Sequence, residues 1–366
     1  MPRTGIGHYT FELARSLAIL SPKDDFHLIS PFAFDASIQE ELSRDAPANL
    51  RGLRPSQSLL HRRWWAIGLP LYLRQARVSL FHGTNYEIPL WGRQRTIATI
   101  HDLSILLHAD KHEEHLARRA RRRLPLMARK ASKIITATQS VKREICEHLR
   151  VSPDKIAVTP YAPRRSFRPV PLEETIETRR RLGVEDEFIL FVGTIEPRKN
   201  LLTLARAFDE IMRRTERRPQ LVIAGREGWL MDELYSFIEQ AGLRDRMLFT
   251  GYVSEDDLRA LYSSCSVMVY PSLYEGFGLP PLEAMACGAP VITSNIQTIL
   301  ETVTDAARTV PPTDHGGIAR VILELLENED ERTRLSSAGL KRAAEFSWEK
   351  TARQTMEVYA EVLGRR

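Results

Sequence analysis

Cysteine is scarce in this chain. Cys146, Cys265 and Cys287 are its only three, scattered without metal-ligand spacing and too few for a disulfide framework, which suits a reducing cytoplasm. Long apolar runs are missing as well. The longest mainly apolar stretch, Trp64 to Leu73, is ten residues interrupted by Gly68 and Pro70, whereas a membrane-spanning helix needs about 20. No charged-then-apolar segment of the secretory kind follows Met1. Internal repeats and low-complexity tracts are also wanting. What is present is ordinary for a globular chain, 43% hydrophobic and 27% charged. At about 150 residues per domain, 366 residues imply two domains.

The net charge of +5 conceals an asymmetry. Residues 1–170 hold 28 Lys+Arg against 15 Asp+Glu, and residues 171–366 hold 24 against 32. A basic front half and an acidic back half point to two units with different partners. Between them lies Pro160–Pro171, with four prolines in twelve residues; proline breaks helices and cannot donate to a strand ladder, so an extended linker is expected. Beyond it, short apolar runs (Phe188–Val192, Leu221–Ala224, Met247–Thr250, Val267–Tyr270, Val291–Thr293) alternate with helical patterns near 201–214, 230–241, 255–263, 280–287 and 315–327. Strands apolar throughout are strands buried on both faces, and the βαβα rhythm predicts a parallel sheet covered by helices. The front half repeats the rhythm at Phe26–Ser30, Ser79–His82, Thr96–Ile100, Lys133–Ala137 and Ile156–Thr159. The expected class is therefore α/β, two Rossmann-like doubly wound domains facing across a cleft. Ligands in such sheets sit beyond the carboxyl ends of the strands. Thr4-Gly5-Ile6-Gly7-His8 reads as a glycine turn opening a helix from Tyr9 to Leu20. Such a turn ordinarily follows a buried strand, so a first strand missing before it is a further expectation.

Two constellations carry candidate chemistry. In Tyr270-Pro271-Ser272-Leu273-Tyr274-Glu275-Gly276-Phe277-Gly278-Leu279-Pro280-Pro281-Leu282-Glu283, a buried strand runs into a glycine-flexible loop, then into a helix with proline near its start. Amides at a helix start favour anions. Carboxylates, which only accept, suit sugar hydroxyls, which donate. In Phe191-Val192-Gly193-Thr194-Ile195-Glu196-Pro197-Arg198-Lys199-Asn200, Asn200 is placed to cap the next helix. Arg198 and Lys199 then stand at the positive end of its dipole, unfavourable by about 0.3–1 kcal/mol each unless an anion binds there. Surface acids and exposed basic residues are the bland alternatives.

Together with Thr4-Gly5-Ile6-Gly7, Thr99-Ile100-His101-Asp102 and Phe346-Ser347-Trp348-Glu349, these motifs resemble the retaining glycosyltransferases of family 4 (group 1), of the GT-B fold. The resemblance covers nearly the whole chain. It implies an acceptor-binding domain over 1–166, a nucleotide-sugar-binding domain over 167–346, and a final helix, 347–366, crossing back to the first. It implies that Glu275 holds donor-sugar hydroxyls beside the amides of Gly276, Phe277 and Gly278, and that Leu279 and Glu283 contact the ribose. Lys199 matches the lysine that neutralises the donor diphosphate. Many relatives have an arginine where this chain has Thr194, and Arg198 is the expected substitute. Tyr252 and Val253 look like the edge that receives the base, Gly5 and Gly7 like the front turn near the phosphates, and His101 like the histidine beside the transferred sugar.

The implied activity moves a hexose, mannose from GDP-mannose first, from a nucleotide diphosphate sugar to a hydroxyl of a glycan or lipid-linked acceptor. Retention is expected through front-face displacement. No catalytic metal and no further cofactor are invoked. His101 could instead be a structural turn histidine, while His108, His112 and His115 read as solvated rather than metal-binding. Arg118, Arg119, Arg121, Arg122, Arg123, Arg129, Lys130 and Lys133 crowd one helical stretch, and Arg62 and Arg63 precede the Trp64–Leu73 segment. Contact with the anionic inner face of a membrane or plain core packing explains them equally; nucleic acid is disfavoured because no recognition motif accompanies the charge. The alternatives in other classes are a sugar-nucleotide 2-epimerase, which consumes donor without acceptor, and a catalytically silent glycan- or protein-binding paralogue.

Overall fold

The computed structural model describes residues 5–30, 46–53, 64–92 and 94–365. The chain divides into two compact units, one running to Tyr161 and resuming at Ser347, the other Ala162–Phe346. The change of unit thus comes after Tyr161, a few residues before the boundary at 166. Tyr161 is held in the first unit by its ring, 4.5 Å from that of Tyr9, while Pro160–Pro171 contains neither helix nor strand.

In the first unit, β1 (Phe26–Ile29) pairs in parallel with β2 (Leu50–Leu53). Strands β3 (Leu80–Gly83), β4 (Arg95–Thr99), β5 (Lys133–Thr136) and β6 (Ile156–Val158) form a four-stranded parallel sheet in that order. Side chains alternate across a strand, so the sheet has two apolar faces to bury. Ala98 and Ile134 face a cluster with Leu124, Met127, Val141 and Ile145. Ile97 and Ile135 face Val358 of the last helix, Trp348–Leu363. That packing is why the carboxyl-terminal segment belongs to this unit.

The opening helix spans Gly5–Leu20, so Gly5 and Gly7 lie in its first turn rather than in a turn before it. Buried Tyr9, Phe11, Leu13 and Leu17 pin the helix to the unit, and that burial outweighs the cost of about 1 kcal/mol per helical glycine. Thr4 and the residues before it, including the place of the expected first strand, lie outside the described residues, as do Arg62 and Arg63. The arginine-rich stretch is one helix, Glu114–Lys130, with Pro125 inside it, whereas Lys133 lies in β5.

The second unit is a six-stranded parallel sheet. Its strands are β7 (Phe188–Val192), β8 (Gln220–Ala224), β9 (Met247–Gly251), β10 (Val267–Tyr270), β11 (Val291–Ser294) and β12 (Arg308–Val310). Their spatial order is β12-β11-β10-β7-β8-β9. The chain enters at the centre on β7, runs outward through β8 and β9, and returns to the other side of β7 with β10. The loops leaving β7 and β10 therefore part at neighbouring carboxyl ends, the switch point where such sheets open a crevice. Phe188–Phe191 and Val267–Tyr270 are fully buried, as runs apolar on both faces require. Among the described residues no helix is long and apolar enough to cross a membrane.

Candidate active site

The two loops at the switch point carry both of the motifs singled out in the sequence. After β7, Gly193 adopts φ 151°, and a Cβ there would lie 3.8 Å from Lys199 Cε. Pro197–Lys199 form a short 3-10 turn. After β10, Leu273 N donates to Arg198 O at 2.9 Å and stitches the loops together. Asn200 departs from the expected capping role. Its backbone is left-handed, φ 61°, and its side chain makes no cap bond. Instead its Nδ2 donates to the carbonyls of Pro271 at 3.0 Å and Pro312 at 2.6 Å. It braces the loops because the buried carbonyl of Pro271 and the half-buried one of Pro312 need a donor more than the helix start does.

This bracing sets two cations, Arg198 and Lys199, against two carboxylates, Glu275 and Glu196. Lys199 Nζ donates to Glu275 Oε1 at 2.6 Å and to the Tyr270 hydroxyl at 2.5 Å. Tyr270 in turn donates to Glu275 Oε1 at 3.0 Å. Arg198 Nη1 lies 3.0 Å from the same oxygen and donates to Tyr274 O at 2.9 Å, while Nη2 meets Glu196 Oε1 at 2.5 Å. Lys199 and Glu275 are each only 8% exposed, so neither is a surface charge. Burial would raise the Glu275 carboxyl, but Lys199 and then Arg198 outweigh it and hold it down to about 2. Burial also pushes the Lys199 ammonium down, against the pull of Glu275. Each charge thus keeps the other ionised in a site that would otherwise neutralise both.

Beyond Glu275 the loop closes on a helix, Leu279–Ala286, with Gly278 at φ 86° as its cap. A Cβ on Gly278 would come within 2.4 Å of Ile299 Cδ1, so the position requires glycine. Gly276 is buried, and Phe277 turns its ring onto Phe346 at 5.9 Å. Leu279 is half-buried at the helix start. Glu283, 2% exposed, has its own cation, Arg164, with Nε 3.0 Å from Oε1. The two glutamates therefore belong to separate ion pairs, Glu275 with the switch-point cations and Glu283 with Arg164. At the end of β9, Tyr252 is 53% exposed under the Arg226 guanidinium, 5.4 Å from the ring centroid, with Val253 half-buried beside it.

His101 belongs to the first unit and is buried just past β4. Nε2 lies 2.8 Å from Thr84 O and Nδ1 2.6 Å from the Tyr161 hydroxyl. A carbonyl only accepts, so Nε2 carries the hydrogen and Nδ1 accepts from Tyr161. Burial lowers its pKa and keeps the ring neutral. Both nitrogens are therefore occupied by groups of the same unit. A second, part-buried relay accompanies it: His82 bridges the Tyr359 hydroxyl and Thr99 Oγ1, both at 2.7 Å, and Thr99 meets the Tyr9 hydroxyl at 3.0 Å. His115 pairs with Glu113 at 3.3 Å, and among the described residues no group of His, Cys, Asp and Glu is placed to hold a metal ion.

Sequence reasoning assigned no role to Tyr270, Glu196 or Arg164. The signal for Tyr270 was available, since a phenol closing a strand buried on both faces must find a partner. Arg164 gave none, being one of three arginines among the linker prolines.

Two α/β units, each built on parallel strands and one bearing a cation pair at its switch point, fit the GT-B architecture that the motifs imply. Solved structures agree on the fold. Anabaena HepE, in complex with UDP and glucose, matches with a TM-score of 0.77 at 18% identity, covering 98% of this chain and 96% of that one. WaaG, a glycosyltransferase involved in lipopolysaccharide biosynthesis, matches with a TM-score of 0.72 at 15% identity, covering 98% and 96%. The family model for Glycosyltransferase Family 4 matches residues 3–162, and that for Glycosyl transferases group 1 matches residues 173–342. O-antigen chain mannosyltransferase B of Escherichia coli is 32% identical over 373 residues, with 98% of this chain and 96% of that protein covered. The serotype-specific mannosyltransferase WbdA of Escherichia coli is 32% identical over 297 residues, covering 78% of this chain and 36% of that protein. The chain belongs to the group 1, family 4 glycosyltransferases, and it is a hexosyltransferase.

Proposed function

We propose that this enzyme transfers mannose, with retention of anomeric configuration, from GDP-mannose to a hydroxyl of a glycan or lipid-linked acceptor in surface polysaccharide synthesis. The observation that carries the reading is buried Lys199 with half-buried Arg198, converging on Glu275 Oε1 where β7 and β10 part. The donor's diphosphate meets Lys199 and Arg198, whose fixed charge stabilises the negative charge that grows on the β-phosphate as the C1–O bond breaks. They supply the neutralisation that a metal ion supplies in other phosphate chemistry, so no metal is required. The acceptor oxygen bonds to C1 on the face the phosphate leaves, and its proton passes to a β-phosphate oxygen. Glu275, ionised throughout the neutral range, accepts hydrogen bonds from sugar hydroxyls. Glu283 and Leu279 meet the ribose, Tyr252 and Val253 the base, and Gly276 to Gly278 the sugar or phosphate. Gly5 and Gly7 approach the phosphates and the acceptor, and His101 stands beside the transferred sugar. The donor preference for mannose follows the names of the relatives above.

The helix Glu114–Lys130 supports contact with an anionic membrane surface at the inner face. Arg118, Arg121 and Arg122 are exposed on it beside Leu116, 41% exposed, and Leu126, 49% exposed. Arg119 and Arg123 are partly spent on Glu87, at 3.2 and 2.6 Å. Such residues attract anionic lipid by about 1 kcal/mol each. The test is transfer from a panel of nucleotide sugars to lipid-linked and free oligosaccharides, with the product anomer read by NMR. Transfer from GDP-mannose with the donor's configuration kept is expected. An inverted product, or turnover of donor without any acceptor, overturns the proposal.

A further inference from the structure

We propose that Arg164, in the segment that opens the second unit, is a positioning residue for the donor nucleoside, holding the Glu283 carboxyl group in place to accept from the ribose hydroxyls. The inference rests on the reading of Glu283 as a ribose contact and adds the residue that makes that contact possible.

Three observations support it. Glu283 is 2% exposed on the helix Leu279–Ala286, and Arg164 Nε stands 3.0 Å from its Oε1. Arg164 Nε and Glu283 Oε1 thus face each other in a close charge contact inside the unit, and that guanidinium lowers the carboxyl against its burial. Lastly, Arg164 is itself fixed. Its Nη1 lies 3.5 Å from Glu255 Oε2, its guanidinium stacks 4.7 Å from the Phe167 centroid, and Ser166 donates to Glu255 Oε1. Glu255 begins the helix that follows Tyr252 and Val253, so one guanidinium spans the base-edge segment and the ribose carboxylate.

The surroundings show why a cation is needed there. Glu283 faces Glu255 and the fully buried Tyr262 of the helix Glu255–Ser264, and Cys287 at the end of its own helix; Arg259 acts on Cys287 rather than on Glu283. Arg164 is the only cation acting directly on Glu283 among these groups. Burial raises the Glu283 carboxyl to about 7 even with Arg164 beside it. Without Arg164 the carboxyl shifts further toward its protonated form, and a protonated carboxyl gives up part of its capacity to accept from a diol.

The test compares GDP and UDP with their 2′,3′-dideoxy counterparts by calorimetry, on the full chain, alongside donor KM and kcat. In the wild type the diol form of whichever nucleotide binds is expected to bind about tenfold or more tightly than the dideoxy form, a difference of about 1.4 kcal/mol. Arg164→Gln should reduce that preference to about twofold and raise donor KM about tenfold, with kcat changed less than about threefold. Its preference should return as the pH is raised and Glu283 ionises. Arg164→Lys keeps the charge and should retain the wild-type pH profile with a smaller rise in KM; it also decides the matter should Arg164→Gln fail to fold. A wild-type diol preference that survives intact in a folded Arg164→Gln, or an Arg164→Lys profile displaced from the wild type, overturns the role of Arg164 alone. Equal binding of diol and dideoxy forms by the wild type overturns the ribose reading and this proposal with it. Failure to bind either nucleotide overturns the proposed function.

Discussion

Replacing Lys199 with Met keeps the length of the stem and deletes the charge, which isolates what that charge contributes. In the wild type, Nζ lies 2.6 Å from Glu275 Oε1 and 2.5 Å from the Tyr270 hydroxyl. Stranding one member of a buried ion pair typically costs about 3–5 kcal/mol. Here Glu275 still has Arg198 Nη1 at 3.0 Å and the Tyr270 hydroxyl at 3.0 Å. The loss therefore falls nearer that of one hydrogen bond to a charged group, about 1.5–3 kcal/mol. At roughly 2–4 °C per kcal/mol for a unit of this size, melting should fall by about 3–12 °C. Catalysis should suffer more than stability, because Lys199 is assigned to charge that appears only as the leaving phosphate departs. Loss of one such preorganised donor costs about 10²–10³ in kcat. The stability penalty should also shrink in acid. The folded-state pKa of Glu275, about 2, lies below its unfolded value, so its contribution is present above about pH 4.3 and lost as pH falls toward 2. Circular dichroism melts across that range, with steady-state kinetics at neutral pH, measure both effects. A kcat within about threefold of wild type in a folded Lys199→Met would refute the assignment of Lys199 to the reacting diphosphate.

Three further outcomes follow from the same geometry. Tyr270→Phe keeps the ring in its slot but removes the hydroxyl that accepts from Lys199 and donates to Glu275. It should cost about 1–3 kcal/mol in a thermal melt and raise donor KM, and an unchanged melt would separate the phenol from the cluster. Glu283 carries a folded-state pKa of about 7, raised above its unfolded value. Its stabilising contribution is present below about pH 4.3 and lost as pH rises through 7, while its capacity to accept from ribose grows over the same rise. Donor affinity should therefore improve from about pH 6 to 8 in the wild type and stay flat in Glu283→Gln, as calorimetry would show. Finally, replacing Arg118, Arg121 and Arg122 together by Ala should weaken sedimentation with anionic vesicles by about 3 kcal/mol, roughly a hundredfold. Binding that is unaffected would remove this helix from any membrane contact.

The sheets were legible wherever burial on both faces left a continuous apolar run. Phe188–Val192 and Val267–Tyr270 appear in the structure with the bounds the sequence predicts. Strand β12 escaped because Arg308-Thr309-Val310 is short, polar and at the sheet edge, where only one neighbour constrains it. The helix Leu172–Leu182 escaped because it buries only Thr175 and carries no apolar stripe. The same distinction holds at the site. Glu275 and Lys199 belong to compact motifs tied to strand ends, so their proximity follows from the switch-point rule once β7 and β10 are neighbours. Asn200 looked like a helix cap because local spacing says nothing about the carbonyls of Pro271 and Pro312 that claim its amide. Gly5 and Gly7 looked like a turn because propensity was weighed without the buried face of Tyr9, Phe11 and Leu13 that draws them into the helix. Arg164 was beyond reach, since its partner Glu283 is far along the chain and only tertiary folding brings them together.

The most direct measurement is a crystal structure of the enzyme soaked with a nucleoside diphosphate. Phosphate oxygens within about 3 Å of Lys199 Nζ and the Arg198 guanidinium are expected, with the ribose hydroxyls on Glu283. A diphosphate bound elsewhere, with the Lys199–Glu275 pair undisturbed, would contradict the assignment of transfer chemistry to the point where β7 and β10 diverge.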